Sequence, residues 1–345
     1  MIRVGILGAT GYAGSELVRL LKGHGGVELT MLTSKSYEGQ KMSDVYPALK
    51  GVCDTVLSAP VPEKVAENCD LVFTALPHGA SKEVIPKLYE LGLKVIDLSG
   101  DYRYNDKELY EEWYKQPHSS PELLDVSVYG LPELHREDIK KTTLVGNPGC
   151  YTTCSILGLA PLLKYGAIDT KHIIIDAKSG VSGAGRGLSV DIHFCECTEN
   201  MKAYKIATHR HTSEIEQELS LVAGEDIKLS FTPHLVPMKR GIYATIYADL
   251  KEMKTKEELL SYYHECYDNE PFIRIYDEGI PESNHVAGSN FVDIGVCVDE
   301  RLGRVIITST IDNLVKGAAG QAVQNMNLLC GFPETQGLTA PGFYL

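Results

Sequence analysis

The chain has 345 residues, 43% hydrophobic and 23% charged, an ordinary globular composition at a length that calls for two domains with separate cores. Lys plus Arg number 33 against 46 Asp plus Glu, a formal charge of −13, which argues against nucleic acid and anionic membrane as partners. The apolar runs fall short of a membrane span, the N-terminus lacks a signal-peptide pattern, and nine cysteines show no paired zinc spacing; a cytoplasmic protein with reduced thiols and no metal site is expected.

In chain order, Ile2 to Leu7 is an apolar run, and Leu17, Val18, Leu20 and Leu21 then recur at helical spacing. Between them lies Gly8-Ala9-Thr10-Gly11-Tyr12-Ala13-Gly14, spaced G-x-x-G-x-x-G rather than G-x-G-x-x-G. The physics is shared: glycines admit a pyrophosphate closely and a helix N-terminus holds it. Gly8, Thr10, Gly11, Tyr12 and Ala13 are therefore the expected cofactor cradle. The run Val27 to Leu32 ends in Thr33-Ser34-Lys35, with no acidic residue for a ribose 2′-hydroxyl. Hydroxyls and a cation suit a 2′-phosphate, so NADP(H) is expected over NAD, with Ser34 and Lys35 as its contacts.

Runs at Leu71 to Leu76 and Val95 to Leu98 enclose a helical pattern carrying Ala80, Val84, Leu88 and Leu91. Alternating strands and helices predict a parallel sheet, with ligands at the C-terminal ends of its strands. Pro77 and His78 sit at one such end and are candidates for the cofactor pocket. Arg103 follows another, where it can hold an anion as a bidentate donor.

Leu144 and Val145 lead into Gly146-Asn147-Pro148-Gly149-Cys150-Tyr151-Thr152-Thr153, and Ile156, Leu157, Leu159, Ala160 and Leu163 follow at helical spacing. The pattern predicts a strand, a tight turn and a helix beginning near Cys150. A thiol at that position meets unpaired backbone N–H groups and the positive end of the helix dipole, which favour thiolate. Cys150 is thus a candidate nucleophile; a buried, inert thiol is the alternative at this point.

Beyond it the pattern changes. A strand at Ile173 to Ala177 ends in the small-residue loop Lys178 to Arg186, where Ser179, Gly180 and Gly183 can approach a phosphate or nicotinamide. His209-Arg210-His211-Thr212 precedes a helix expected to be capped by Thr212 or Ser213, with Glu216 completing a capping box. Either His209 or His211 can exchange a proton with Cys150. Residues 242–248, 290–298 and 305–311 are β-rich with few helices between them, which predicts a mainly antiparallel sheet with one face covered. The tail from Asp312 to Asn327 reads as a helix returning to the first domain, with Asn313 as a further cofactor candidate. The fold class is α/β: a Rossmann-type NADP-binding domain over 1–148 and 313–345, plus an α+β catalytic and dimerisation domain over 149–312.

The ordered set Gly8 to Gly14, Thr33 to Tyr37, Leu76 to Gly79, Asp97 to Arg103, Gly146 to Tyr151, His209 to Thr212 and Asp312 to Gly317 resembles the motifs of the N-acetyl-gamma-glutamyl-phosphate reductase family. That family is the NADP-dependent acyl-phosphate reductase of arginine biosynthesis. The one departure is Thr152, where the family usually has proline. The resemblance implies a thioester on Cys150, formed as phosphate leaves and reduced by NADPH to N-acetylglutamate semialdehyde. It also implies proton transfer through His211 or His209, substrate contacts from Arg103, Asn147 and Arg210, and a homodimer or homotetramer. The nearest alternative is another phosphorylating aldehyde dehydrogenase, such as aspartate-semialdehyde dehydrogenase, which shares the architecture. A cysteine hydrolase leaves the N-terminal glycine turn unexplained, and a non-catalytic NADP sensor leaves Cys150 without a task.

Overall fold

The computed structural model describes residues 1–343. They form two compact units, one of Met1–Pro148 with Ala318–Thr339 and one of Gly149–Gly317 with the residues from Ala340 onward. The crossing at the C-terminal side falls between Gly317 and Ala318, so Asn313 and its neighbours pack with the second unit.

The first unit alternates strand and helix. It comprises β1 (Ile2–Leu7), α1 (Tyr12–Lys22), β2 (Val27–Thr33), the short α2 (Met42–Val45), α3 (Pro62–Asn68), β3 (Leu71–Thr74), α4 (Ser81–Glu90), β4 (Lys94–Asp97), α5 (Lys107–Tyr114), β5 (Val128–Tyr129), α6 (Pro132–Ile139) and β6 (Leu144–Gly146). The strands form one sheet ordered β2-β1-β3-β4-β6-β5, with every neighbouring pair parallel. All four residues of β3 are buried, as a strand covered by helices on both faces requires. Chain order runs outward from β1 to β2 on one side and from β3 onward on the other. The point of reversal, at the C-terminal ends of β1 and β3, is where open parallel sheets bind ligands.

In the second unit, α7 (Cys150–Lys164) is followed by β7 (Ile174–Gly180), α8 (Phe194–Cys197), β8 (Lys202–Ala203), α9 (His211–Ala223), β9 (Ser230–Val236), β10 (Ile242–Asp249), α10 (Lys256–Tyr267), β11 (Ile273–Tyr276), β12 (Val292–Asp299) and β13 (Arg304–Ile311). The last helix, α11 (Gly320–Cys330), belongs to the first unit. There its buried polar residues find partners: Asn327 Oδ1 lies 2.7 Å from His24 Nε2, and the Asn325 amide donates to Gly130 O at 2.8 Å.

The seven-stranded sheet of the second unit is ordered β11-β12-β13-β10-β7-β9-β8. It is mainly antiparallel, with parallel pairs at β7–β9 and β11–β12. The chain from β7 reaches β9 through α9, a helical crossover that brings the next strand back in the same direction. Along β10, Ile242, Ala244, Ile246 and Ala248 are fully buried, while Tyr243, Thr245 and Tyr247 are half-buried on the opposite face. The buried set packs against α7, which is covered all round apart from its two ends.

The expected capping box of α9 does not form. The helix starts at His211 on an Arg210 already in helical conformation with no side-chain cap. The preceding turn is wound tightly enough that Thr212 N–H donates to His209 O. Ser213 Oγ instead donates to Arg210 O at 3.0 Å, and Glu216 Oε1 accepts the Leu229 N–H.

Candidate active site

In the first unit, the candidate residues gather at the switch point of the parallel sheet. Gly8 has φ +84°, and a Cβ there would lie 2.4 Å from Ala75 O, so only glycine lets the loop after β1 pass the end of β3. Gly11 caps α1, whose first turn carries no acidic residue. A side chain on Gly11 would meet nothing nearer than Gly8 O at 3.6 Å, so the mouth of the turn is open. An open mouth, bare helix N–H groups and no competing carboxylate fit a dinucleotide pyrophosphate. Tyr12 and Ala13 form the first turn of α1, and Thr10 Oγ1 lies 2.8 Å from Ser34 Oγ. Ser34 is thus buried and engaged within the protein, whereas Lys35 beside it is exposed.

After β3, Pro77 and His78 are exposed, and His78 Nδ1 accepts the Gly100 N–H at 2.9 Å. The buried Asp101 accepts N–H groups from Gly79 and Lys82, which holds that loop at the start of α4. Arg103 is 4% exposed and donates to Leu98 O at 3.0 Å, so it is part of the loop's interior rather than a surface ion pair. Asn147, at the exit of β6, donates to Ala318 O at 3.1 Å and accepts from Asn325 at 3.0 Å. Its amide is a joint between β6 and α11.

In the second unit, the candidates centre on Cys150, the first residue of α7, with Gly149 as N-cap. It is partly exposed while the helix behind it is buried. Gly317 closes against it: a Cβ at 317 would lie 2.7 Å from Cys150 Cβ. That glycine falls in a π-helical turn over Val315–Ala319, a form that recurs at functional sites. The turn is anchored by buried Asp312, whose Oδ1 accepts the N–H groups of Leu314 and Val315 and whose carboxylate pairs with Arg240.

A ring cluster lies next to the cysteine. Tyr151 packs edge-on against His209 and His211, with centroids 5.7 and 6.0 Å away, and the two histidine rings are 4.7 Å apart. Tyr204 donates to Tyr151 Oη at 3.3 Å, and Tyr151 donates to His234 O at 3.1 Å. Burial pushes the Tyr204 phenol up to about 12. Burial, and then the Lys205 and Arg210 cations, push the His209 imidazole down to about 3. His209 Nδ1 accepts the His211 N–H at 3.1 Å, so it is a neutral prop under the start of α9. Arg210 lies between the two histidines, half-buried.

The loop after β7 gathers the remaining candidates. Asn313 Oδ1 accepts the Gly241 N–H at 2.8 Å, and its amide donates to Ser182 Oγ at 3.0 Å. Ser179 is buried, and a Cβ at Gly183 would lie 3.0 Å from its hydroxyl. Ser179, Gly180, Gly183 and Asn313 therefore form one corner of the second unit.

Sequence reasoning missed Glu214, which is fully buried and whose Oε1 accepts the Gly149 N–H at 2.9 Å. Its spacing of three from His211 places both on one side of α9, a signal obscured by the other acidic residues of that helix. Among the described residues, no cluster of metal-binding side chains is present.

Residues 3–142 match the family model described as semialdehyde dehydrogenase, NAD binding domain, and residues 150–313 the one described as semialdehyde dehydrogenase, dimerisation domain. The chain belongs to the semialdehyde dehydrogenase family. Within that family it is 60% identical over 346 residues to the N-acetyl-gamma-glutamyl-phosphate reductase of Acetivibrio thermocellus, covering 100% of both chains. It is 55% identical over 345 residues to the protein of the same name from Desulforamulus reducens, again with full coverage of both. The family fold is seen in the crystal structure of aspartate semialdehyde dehydrogenase II from Vibrio cholerae, with a TM-score of 0.74 at 19% identity over 96% of this chain and 99% of that one. The corresponding enzyme from Candida albicans, crystallised with NADP, gives 0.73 at 18% identity, over 96% and 99%.

Proposed function

We propose that this protein reduces N-acetyl-gamma-glutamyl phosphate to N-acetylglutamate 5-semialdehyde and phosphate with NADPH, through a thioester on Cys150. The observation that carries the mechanism is the partly exposed thiol at the first position of a buried helix, beside Gly317, with the histidine pair packed on the adjoining Tyr151. The substrate is inferred from relatives of that name matched over their full length.

The α7 N-terminus favours the Cys150 thiolate. Its sulfur attacks the acyl carbon, the C–S bond forms and the acyl–phosphate bond breaks with release of phosphate. N–H groups of the first turn hold the oxyanion; a single such donor is worth about 3 kcal/mol. Bound NADPH supplies the hydride for the thioester carbon. His211 takes the thiol proton and gives it to the oxygen as the thioester is reduced. Collapse of the thiohemiacetal returns that proton and frees aldehyde and thiolate. His209, neutral and bonded to the His211 N–H, supports this geometry.

Gly8, Thr10, Gly11, Tyr12 and Ala13 would hold the pyrophosphate, with Pro77 as a further contact. Lys35, rather than the engaged Ser34, would pair with the 2′-phosphate. Ser179, Gly180, Gly183 and Asn313 would hold the nicotinamide. Arg210 serves the anionic substrate, while Arg103, held inside its loop by Leu98 O, supports that loop, and Asn147 holds the turn that bears the cysteine.

The protein acts in the cytoplasm as a homo-oligomer. Ile174, Tyr247, Ile306 and Cys297 lie side by side across β7, β10, β13 and β12, none of them fully buried, which gives a second copy an apolar row to cover. The test of function is phosphate-dependent reduction of NADP⁺ with N-acetylglutamate semialdehyde and with aspartate semialdehyde. Activity with the first and not the second is expected; the reverse preference would overturn the substrate assignment.

A further inference from the structure

The buried Glu214 is three residues past His211 on α9, yet its carboxylate is spent on α7. Oε1 accepts the Gly149 N–H at 2.9 Å and lies 2.9 Å from Thr152 Oγ1. Thr152 Oγ1 is also 2.6 Å from Gly149 O, so its single proton is shared between that carbonyl and the carboxylate. Gly149 immediately precedes the nucleophile and Thr152 follows two residues later, so one oxygen grips the Cys150 turn on both sides. All three groups are buried or nearly so: Glu214 and Thr152 are 0% exposed. A buried polar contact of this kind resists displacement, because its parting leaves unpaired groups without water.

We propose that Glu214 and Thr152 form a latch that fixes the Cys150 turn relative to His211, and that they are positioning residues for the acylation step. The latch touches neither substrate nor cofactor. It sets the direction in which Sγ is presented and the separation between α7 and the start of α9. This rests on Cys150 and His211 being the nucleophile and its proton partner.

The experiment pairs steady-state kinetics with alkylation of Cys150 by iodoacetamide, which needs no assumption about the substrate. Thr152→Val keeps the side-chain shape and removes only the hydroxyl, so it folds, whereas Glu214→Ala leaves a buried void. Misplacement of a reacting group by about 1 Å costs up to about a hundredfold. Thr152→Val should therefore lower kcat by about tenfold or more, with KM for NADP⁺ within about twofold, and slow Cys150 alkylation in parallel. Glu214→Gln, which keeps an acceptor oxygen, should retain more of kcat than Glu214→Ala. Wild-type kcat and alkylation rate in Thr152→Val would overturn the latch. If the unaltered protein alkylates readily at Cys150 but turns over neither semialdehyde, the proposed reaction fails while the alkylation arm still decides the latch.

Discussion

Cys150 is one of nine cysteines, and its neighbour one turn on shows how far position decides chemistry. Cys154 is fully buried on the same helix, and burial raises its thiol to about 12. Cys150 instead sits at the helix end, partly open, and the residue after it, Tyr151, packs against two imidazoles. Replacing Cys150 with Ser should abolish turnover while leaving NADP⁺ affinity, read by fluorescence titration, within about twofold, since the cradle is built from β1 and α1. Normal turnover in that variant would remove the thioester from the mechanism. The two histidines separate in the same way. His209 is held neutral by burial and by Lys205 and Arg210, so it has no proton to give in the working range. His211→Asn should lower kcat by about a hundredfold or more and flatten its pH profile. His209→Asn should retain the shape of that profile, because it loses a prop and not a titrating group. A flattened profile in His209→Asn would reverse the assignment.

At the scale of elements, the loop after β1 is held by backbone geometry. Gly8→Ala puts a Cβ 2.4 Å from Ala75 O at φ +84°, so the variant should lose at least about 1 kcal/mol of stability. NADP⁺ binding should weaken with it, as the loop is pushed off the end of β3. Unchanged melting temperature and affinity would show that the strand ends part easily. The other element with a readable dependence is the end of α10, where His264 reaches Asp268 and Asp277 at 2.8 Å from its two ring nitrogens. Two such bonds require the charged imidazolium, and they raise its pKa above 6.5, the Asp268 bond most. The stability it adds is present below the unfolded value and disappears as pH rises through the folded one. The melting temperature of His264→Gln should therefore fall below the parent's at about pH 5.5 and approach it near about pH 8.5. An equal gap at both pH values would contradict the ion-pair origin.

For the whole molecule, assembly is the open property. The row Ile174, Tyr247, Ile306 and Cys297 crosses the centre of the seven-stranded sheet, on the side away from α7. Placing a charge there by Tyr247→Asp should reduce the mass measured by light scattering to that of one chain, with far-ultraviolet circular dichroism unchanged. A persistent oligomer would move the interface to other surfaces, such as the exposed Leu188, Val190 and Phe194.

The parallel sheet, the glycine turn and the placement of Cys150 at a helix start were all legible in the sequence, because each depends on residues adjacent in the chain. Apolar period and turn chemistry are local signals, and Ile2 to Tyr12 and Leu144 to Cys150 carry them in full. The start of α9 was misread for a related reason: the turn in which Thr212 N–H bonds His209 O leads into the helix with Arg210 already helical, so no capping side chain is used. Only the tertiary structure decided that His209 stays neutral, since that follows from Tyr151, Tyr204 and Phe231 closing around it. Only it revealed Glu214, whose partner Gly149 is 65 residues distant along the chain. Desolvation and long-range hydrogen bonding arise from what the fold brings together, and no periodicity in the sequence encodes them.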